Sequence, residues 1–159
     1  MKREVKYLGI LRIFFGFVFL WAFFDKLFGL GFATARDKSW ILGNSPTSGF
    51  LFNTSGIFSG FFKILVGQAW VDWLFMLGLL LIGIALILGI AMKITAYSGS
   101  VLMFLMWLAE LPSQNNPLID EHIIYILVFV LLYKLKAGEA YGFGKKWAKI
   151  FKGYFVLNG

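Results

Sequence analysis

Four long apolar segments, separated by polar connections, set the pattern of this chain. The clearest is Trp73–Met92, which carries no charged residue and is long enough as a helix to cross the roughly 30 Å of a hydrocarbon core. The last two segments are slightly short, as expected for helices shielded within a bundle or flanked by snorkelling lysines. We therefore predict an all-α integral membrane protein, a four-helix transmembrane bundle with spans at about 8–28, 73–92, 94–110 and 118–135.

Composition agrees with a membrane location. Hydrophobic residues make up 60% and charged residues 14% of the 159 positions, which lies outside the range of soluble domains. The length predicts a single domain, residues 1–159. The basic N-terminus before Leu8–Phe24 looks like a signal peptide, but Asp25 and Lys26 follow where a small-residue cleavage site would stand. We therefore predict a retained helix.

The distribution of basic residues predicts the topology. An even number of spans puts both termini on one side of the membrane, and that side would collect ten of the fifteen basic residues. The opposite side would hold three basic loop residues, with Lys26 at a helix end. We therefore predict a multi-pass cell-membrane protein with both termini in the cytoplasm. Six of the eight acidic residues sort to the outer side: Asp25, Asp37, Asp72, Glu110, Asp120 and Glu121.

Two segments outside the spans are predicted to lie on the membrane surface. In the long outer loop, residues 29–71, apolar side chains recur at helical spacing over 57–65. This pattern favours an interfacial helix over a fifth span. The cytoplasmic tail, residues 136–159, combines lysines with apolar side chains such as Trp147 and Phe155. We expect it to lie along the inner leaflet against anionic lipid.

The most informative local motif is Asp120-Glu121-His122, directly before the uncharged run Ile123–Tyr133. Titratable side chains are costly at the start of a membrane helix, and His122 is the only histidine. In an up-down-up-down bundle, the triplet would lie at the same depth as Glu110. Carboxylates with a histidine beside an apolar interior suit proton exchange, so Glu110, Asp120, Glu121 and His122 are candidate catalytic residues. The alternative is that they cap or pair the helix ends.

Two cations of the first span form a second candidate pair. Arg12 and Lys26 are about four helical turns apart and share one face of the helix. A face with a cation near each end more often looks into a bundle than into lipid. For Arg12 the alternative is that it snorkels to lipid phosphates. Glycines of the first two spans, including Gly16, Gly83 and Gly89, are interpreted as helix-packing positions.

Resident redox groups are largely excluded. The chain has no cysteine, which excludes disulfides, a thiol couple and iron–sulfur ligation. One histidine cannot supply a bis-histidine haem or a His-rich zinc site, and no glycine motif for a dinucleotide is present. We therefore expect no metal and no haem, flavin or iron–sulfur ligands. Redox chemistry would require a diffusible carrier or a cofactor of a partner.

A further set of motifs is shared with a known family. The set comprises Leu11-Arg12, Gly16, Phe19-Leu20, Lys26-Leu27, Ser45–Phe50, Trp107–Pro112, Asn116-Pro117 and Asp120–His122. Over about residues 8–136 the chain resembles the DoxX/DoxD family, and within it the membrane subunit of thiosulfate:quinone oxidoreductase. The resemblance implies a four-helix membrane bundle and electron transfer from thiosulfate to a quinone. It adds Arg12 and Lys26 as candidate cofactor-binding positions. The family's DoxA-type partner subunit has no counterpart within this chain.

These observations lead to one expected function and two alternatives. We expect a quinone-linked membrane oxidoreductase subunit that oxidises thiosulfate or another small sulfur compound at the outer face. The first alternative is a non-catalytic scaffold or assembly factor that docks a partner subunit, and the second is a proton or small-ion pathway. The expected partners are the lipid bilayer and a DoxA-like or other redox subunit, with a homo-oligomer as a further option. Nucleic acid is not expected.

Overall fold

The computed structural model describes residues 3–113 and 116–152 and is all-helical over them. Its α-helices are α1 (Arg3–Phe28), α2 (Ser48–Phe52), α3 (Ser59–Ile64), α4 (Ala69–Leu88), α5 (Met92–Glu110), α6 (Glu121–Lys134) and α7 (Gly144–Ile150). Short 3-10 turns lie at Arg36–Lys38, Trp40–Leu42 and Ala137–Glu139. In this described part of the chain, α1, α4 and α5 are long and apolar enough to cross a membrane. The predicted all-α class is confirmed, with three helices of membrane-spanning length.

The second long helix starts and ends earlier than predicted. α4 covers Ala69–Leu88 and not 73–92, because the chain turns at Gly89. This glycine is left-handed, with φ 69°, and its N–H donates to two carbonyls of the last helical turn. That is the geometry of a glycine C-cap. Ala91 is also left-handed, with φ 48°, so α5 begins directly after the turn.

The last long helix is shorter than the predicted span 118–135. α6 begins at Glu121 and has 14 residues, or about 21 Å of length. A hydrocarbon core is roughly 30 Å thick, so α6 alone falls short of it. The helix stops because Lys136 is left-handed, with φ 53°, and turns the chain back toward α1. A fourth crossing therefore stays a prediction.

α1 and α4 pack closely through glycines. A Cβ added at Gly16 would lie 3.0 Å from the carbonyl oxygen of Gly83, and one added at Gly83 would lie 2.7 Å from Leu20 Cγ. Neither position accepts a side chain unless a neighbour moves. The predicted packing role is confirmed at these two positions. At Gly78, by contrast, the nearest atom shown is on Leu102 at 4.0 Å.

An aromatic cluster joins α6 to both α1 and α5. The Phe129 ring lies 4.8 Å from the ring of Phe15 and 5.4 Å from that of Phe19, measured between centroids. Tyr125 lies 5.1 Å from Phe15. On the α5 side, the Phe129 ring covers Gly99 so closely that a Cβ there would overlap it. These rings join α1, α5 and α6, and α4 packs on α1 through the glycines described above, so the long helices form one bundle in which neighbours run antiparallel.

The bundle has two ends, each named here after one residue. At the Arg12 end lie the start of α1, the turn between α4 and α5, and the segment after α6, where Ala140 packs against Gly9. At the His122 end lie the end of α1, the long loop, the end of α5 and the start of α6. Charged side chains of the described residues concentrate at these two ends.

The predicted interfacial helix over 57–65 is shorter than expected. α3 covers only Ser59–Ile64, because the chain just before it forms a turn. Phe62 is buried, at 4% exposure, whereas Ile57 and Phe61 are 76% and 59% exposed. The segment thus has one buried apolar side chain among exposed ones.

The tail after α6 folds back onto the Arg12 end. The N–H of Phe143 donates to the carbonyl of Leu88 at 2.8 Å, and α7 follows directly. The rings of Trp147 and Phe151 lie 4.4 Å apart. Phe155, which was predicted to face the inner leaflet, lies outside the described residues.

Candidate functional site

Asp120 and His122 form a buried pair at the start of α6. Asp120 is the N-cap: its Oδ1 accepts from the backbone N–H groups of His122 at 3.0 Å and Ile123 at 3.4 Å, which satisfies donors that a helix start leaves unpaired. Its Oδ2 lies 3.0 Å from His122 Nδ1. The side chains of Asp120 and His122 are 4% and 8% exposed. One carboxylate therefore both starts the helix and holds the imidazole.

Glu110 completes a three-residue cluster with this pair. It is the last residue of α5 and is exposed. One donor atom from each of Glu110, Asp120 and His122 lies within 4.8 Å of the other two. Because α5 and α6 are antiparallel neighbours, the end of one and the start of the other meet at the same height.

A cavity of about 310 Å³ opens beside the cluster. Glu110 and Glu121 both contribute to its wall, so Glu121 faces the same space without belonging to the three-donor cluster. The volume lies at the lower limit of small-molecule sites. The other lining residues are mostly polar: Asn53, Thr54, Ser55, Pro112 and Ser113.

Hydrogen bonds fix the connection that carries the pair. Trp107 Nε1 donates to the carbonyl of Leu118 at 3.0 Å. Asn116 Oδ1 accepts from the N–H groups of Leu118 and the residue after it, at 3.0 and 3.1 Å, as in an Asx turn. The carbonyl of Leu111 accepts from the N–H of Ile57 at 3.0 Å. These contacts set the approach to Asp120 and tie the long loop to the end of α5.

Lys26 lies at the same end of the bundle but in a different polar group. Its Nζ donates to the carbonyl of Pro46 at 3.4 Å and lies 5.8 Å from the centroid of the Phe75 ring. Among the described residues it forms no ion pair with Glu110 or with the Asp120–His122 pair. The structure therefore does not bring Lys26 into the cluster.

Two further acidic residues at this end organise the loop. The buried carboxylate of Asp25 accepts from the backbone N–H groups at 32–33, at 3.2 and 3.0 Å. Asp72, in the first turn of α4, accepts from Ser45 Oγ at 2.7 Å and from Thr47 Oγ1. Both carboxylates thus stabilise the conformation of the long loop, residues 29–71.

Arg12 lies at the opposite end and is fully buried, with 0% exposure. Its guanidinium donates five hydrogen bonds, all to backbone carbonyls. The acceptors are Ala137 at 3.2 Å, Ile87 at 2.8 Å, Ala140 at 2.9 Å, Tyr141 at 3.2 Å, and Leu86. The prediction that Arg12 faces the bundle is confirmed, and the alternative that it snorkels to lipid is wrong. The structure places Arg12 away from the cluster and uses its donors within the protein.

The Asp120–His122 pair has the arrangement of a proton-exchanging dyad. A carboxylate on Nδ1–H fixes the tautomer that leaves Nε2 as the acceptor, and it stabilises the imidazolium after proton uptake. Burial strengthens this interaction because water is largely excluded. The exposed carboxylate of Glu110, close by, is suited to pass protons between the pair and water.

Two groups of residues that shape this site were not predicted from the sequence. Trp107 is not among the candidate residues named from the sequence, yet its indole Nε1 donates to the carbonyl of Leu118, in the connection to α6. Residues 53–55 of the cavity wall are not among the candidate residues either. The polar tripeptide Asn53-Thr54-Ser55 and the Asx-turn signal of Asn116-Pro117 were the available evidence.

Comparison with protein-family models, with curated proteins and with solved structures finds no match for this chain. The function of this chain must therefore be inferred from its residues and their geometry.

Proposed function

We propose that this chain is a membrane subunit of a quinone-linked oxidoreductase, in which the Asp120–His122 pair exchanges protons with the quinone head group. The observation that carries the proposal is the buried pair itself, held at the end of an apolar bundle with Glu110 beside it. A quinone takes up protons together with electrons, so its reduction at a membrane surface requires a proton-exchanging group at that depth.

The surroundings of the pair suit a lipid-soluble carrier with a polar head. The polar cavity of about 310 Å³ offers hydrogen-bonding groups for a ring with carbonyl or hydroxyl oxygens. Apolar side chains on the lateral surface at the same end are exposed: Phe104 at 47%, Leu118 at 68% and Ile119 at 53%. An apolar tail bound there would stay in contact with lipid while the head group reaches the cavity.

We also propose four membrane crossings, with α6 as the fourth, α3 in the interface and both termini in the cytoplasm. The Arg12 end gathers the start of α1, the α4–α5 turn and the tail, so nine of the ten basic residues of the predicted cytoplasmic side lie at this end; the tenth, Lys2, lies outside the described residues. By the positive-inside rule the Arg12 end is cytoplasmic. The His122 end then faces the outer aqueous phase.

The electron donor in this proposal comes from the family resemblance. By that resemblance the donor is thiosulfate or another small sulfur compound that arrives from outside. A cysteine-free chain supplies no thiol or iron–sulfur group to take its electrons. A second subunit, DoxA-like or of another redox type, is therefore part of the proposal.

The second candidate function is a non-catalytic scaffold or assembly factor. Large apolar side chains of the loop are exposed at the His122 end, among them Phe52 at 68%, Ile57 at 76% and Ile64 at 73%. Such side chains suit contact with another subunit as well as with the membrane interface. In this alternative, Glu110 and Glu121 would dock the partner and transfer no protons.

The test is thiosulfate- or sulfide-dependent quinone reduction by membranes that contain the full chain, with and without a partner subunit. Replacement of His122 by Ala, or of Glu110 by Gln, should lower turnover about a hundredfold or more, the usual contribution of general acid–base catalysis. Glu139→Gln is the matched control, because Glu139 lies at the Arg12 end and pairs with Lys145. Helical circular dichroism should be unchanged in all three.

Two outcomes would contradict the proposal in different ways. If turnover is unaffected by both site substitutions, the oxidoreductase function is retained but the Asp120–His122 site is wrong. If no combination reduces quinone, and the purified protein retains none, the scaffold function is favoured.

A further inference from the structure

The three clustered side chains also form a mixed set of metal donors. Glu110, Asp120 and His122 contribute two carboxylate oxygens and one imidazole nitrogen, mutually within 4.8 Å. We propose that these three residues bind a divalent transition-metal cation of the zinc class. Binding of the cation requires no quinone and is therefore independent of the proposed oxidoreductase function.

The distances within the cluster are close to those of a coordination shell. Zinc binds imidazole nitrogen and carboxylate oxygen at about 2.0–2.2 Å, so neighbouring ligands lie roughly 3.0–3.5 Å apart. The Asp120 Oδ2 and His122 Nδ1 atoms are already 3.0 Å apart. A cation would take the place of the proton that this pair shares. Glu110 must approach by about 1.5 Å, which rotation of an exposed side chain provides.

The donor types define the class of cation. One imidazole and two carboxylates suit zinc, iron, manganese or cobalt in the divalent state. Calcium and magnesium prefer all-oxygen sites, and the soft thiolate ligands that select monovalent copper are absent from this chain. Three protein ligands leave at least one position for water or another small ligand.

The neighbouring cavity is an independent structural reason to expect a ligand here. It opens directly beside Glu110, is about 310 Å³ in volume, and has Glu121 and Ser113 in its wall. A hydrated cation can therefore enter from the aqueous phase without passing the apolar core. The burial of Asp120 and His122 keeps both ligands fixed, and Asp120 is further held by its role as N-cap.

The site is occupied by a proton or by a metal, but not by both. Where the Asp120–His122 pair exchanges protons, as proposed above, a bound cation would block that exchange. The cluster would then act as an inhibitory metal site facing the outer side. This consequence depends on the proposed function, whereas the binding does not.

The direct experiment is a Co²⁺ titration of the full-length protein in detergent, purified without a histidine tag and freed of metal. The visible absorption of Co²⁺ reports nitrogen and oxygen ligands, and because His122 is the only histidine, background from other imidazoles is absent. We expect one cation per chain, displaced by Zn²⁺. Glu110→Gln, Asp120→Asn and His122→Gln should each weaken binding at least about tenfold, and Glu139→Gln should not.

The variants keep folding separate from binding. Asn is as good an N-cap as Asp, so Asp120→Asn removes the charge and retains the start of α6. If Co²⁺ binds the wild type and His122→Gln equally, or binds neither, the metal site is wrong. If quinone reduction fails while one Co²⁺ binds through these residues, the proposed function fails and the metal site stands. If quinone is reduced but no Co²⁺ binds through these residues, the metal site alone is wrong.

Discussion

Arg12 should be the residue on which the stability of the Arg12 end depends. The perturbation is Arg12→Met, which keeps much of the side-chain volume and removes all five hydrogen bonds, together with Arg12→Lys, which keeps the charge. The bonds connect α1 to two separate segments, the end of α4 and the residues after α6. Neither replacement can reproduce a planar fork that donates in several directions at once.

The magnitude follows from the number and type of bonds lost. A hydrogen bond to a charged group contributes about 1.5–3 kcal/mol, but five bonds from one side chain do not add. Arg12→Met leaves buried carbonyl oxygens without a donor, which costs up to about 1–3 kcal/mol for each that stays unsatisfied, so we expect a total loss of about 3–5 kcal/mol, at the upper end for a single substitution. Lysine retains part of the bonding from a single ammonium, so Arg12→Lys should cost about half as much.

The assay is equilibrium unfolding of the full-length protein in mixed micelles, followed by circular dichroism. Arg36→Met is the matched control, because Arg36 is exposed in the long loop and should change stability by no more than about 0.5 kcal/mol. If Arg12→Lys is as stable as the wild type, the hydrogen bonds from Arg12 to the backbone carbonyls do not stabilise this end as proposed. That result is the one expected of a cation that interacts only with lipid phosphates.

Two further predictions test packing and topology. Gly99→Ala places a methyl group against the ring of Phe129 and should destabilise the bundle by about 1–3 kcal/mol. Gly78→Ala, whose nearest neighbour is at 4.0 Å, should be neutral or slightly stabilising. Equal unfolding midpoints for the two variants would refute the packing. A reporter fused after Gly159 should be cytoplasmic and a tag inserted near Ser45 accessible from outside, and an external C-terminus would remove the four-span topology.

The apolar pattern was sufficient to find the long helices but not their ends. The uncharged run Trp73–Met92 predicted a helix correctly, yet a run of hydrophobicity has no feature that distinguishes a helix from the turn after it. Gly89 ends α4 through its backbone conformation, and glycine occurs at both packing and capping positions. The start of α6 was misplaced for a similar reason, since Leu118 is as apolar as the helix that follows.

The site was partly predictable because the signals that start and end a helix lie in neighbouring residues of the sequence. Contacts between helices join residues far apart in the sequence and leave no such local signal. Asp120 before an apolar run is a recognisable N-cap signal, and antiparallel order brings Glu110 to the same height. Sequence could not reveal which charged residues reach one another. Lys26 had the right depth but bonds the loop instead, and the acceptors of Arg12 lie up to 129 residues away.

The distance along the sequence between Arg12 and its acceptors imposes an order on the assembly of the chain in a membrane. Arg12 enters with the first helix, when none of its acceptors has yet been synthesised. The carbonyls at the end of α4 emerge next, and those of Ala137, Ala140 and Tyr141 emerge only after the last long helix. Until then a buried cation lacks most of its partners, so the first helix should stay near water or the insertion machinery. We therefore expect α1 to reach its final position only after the segment with Ala137, Ala140 and Tyr141 has been synthesised.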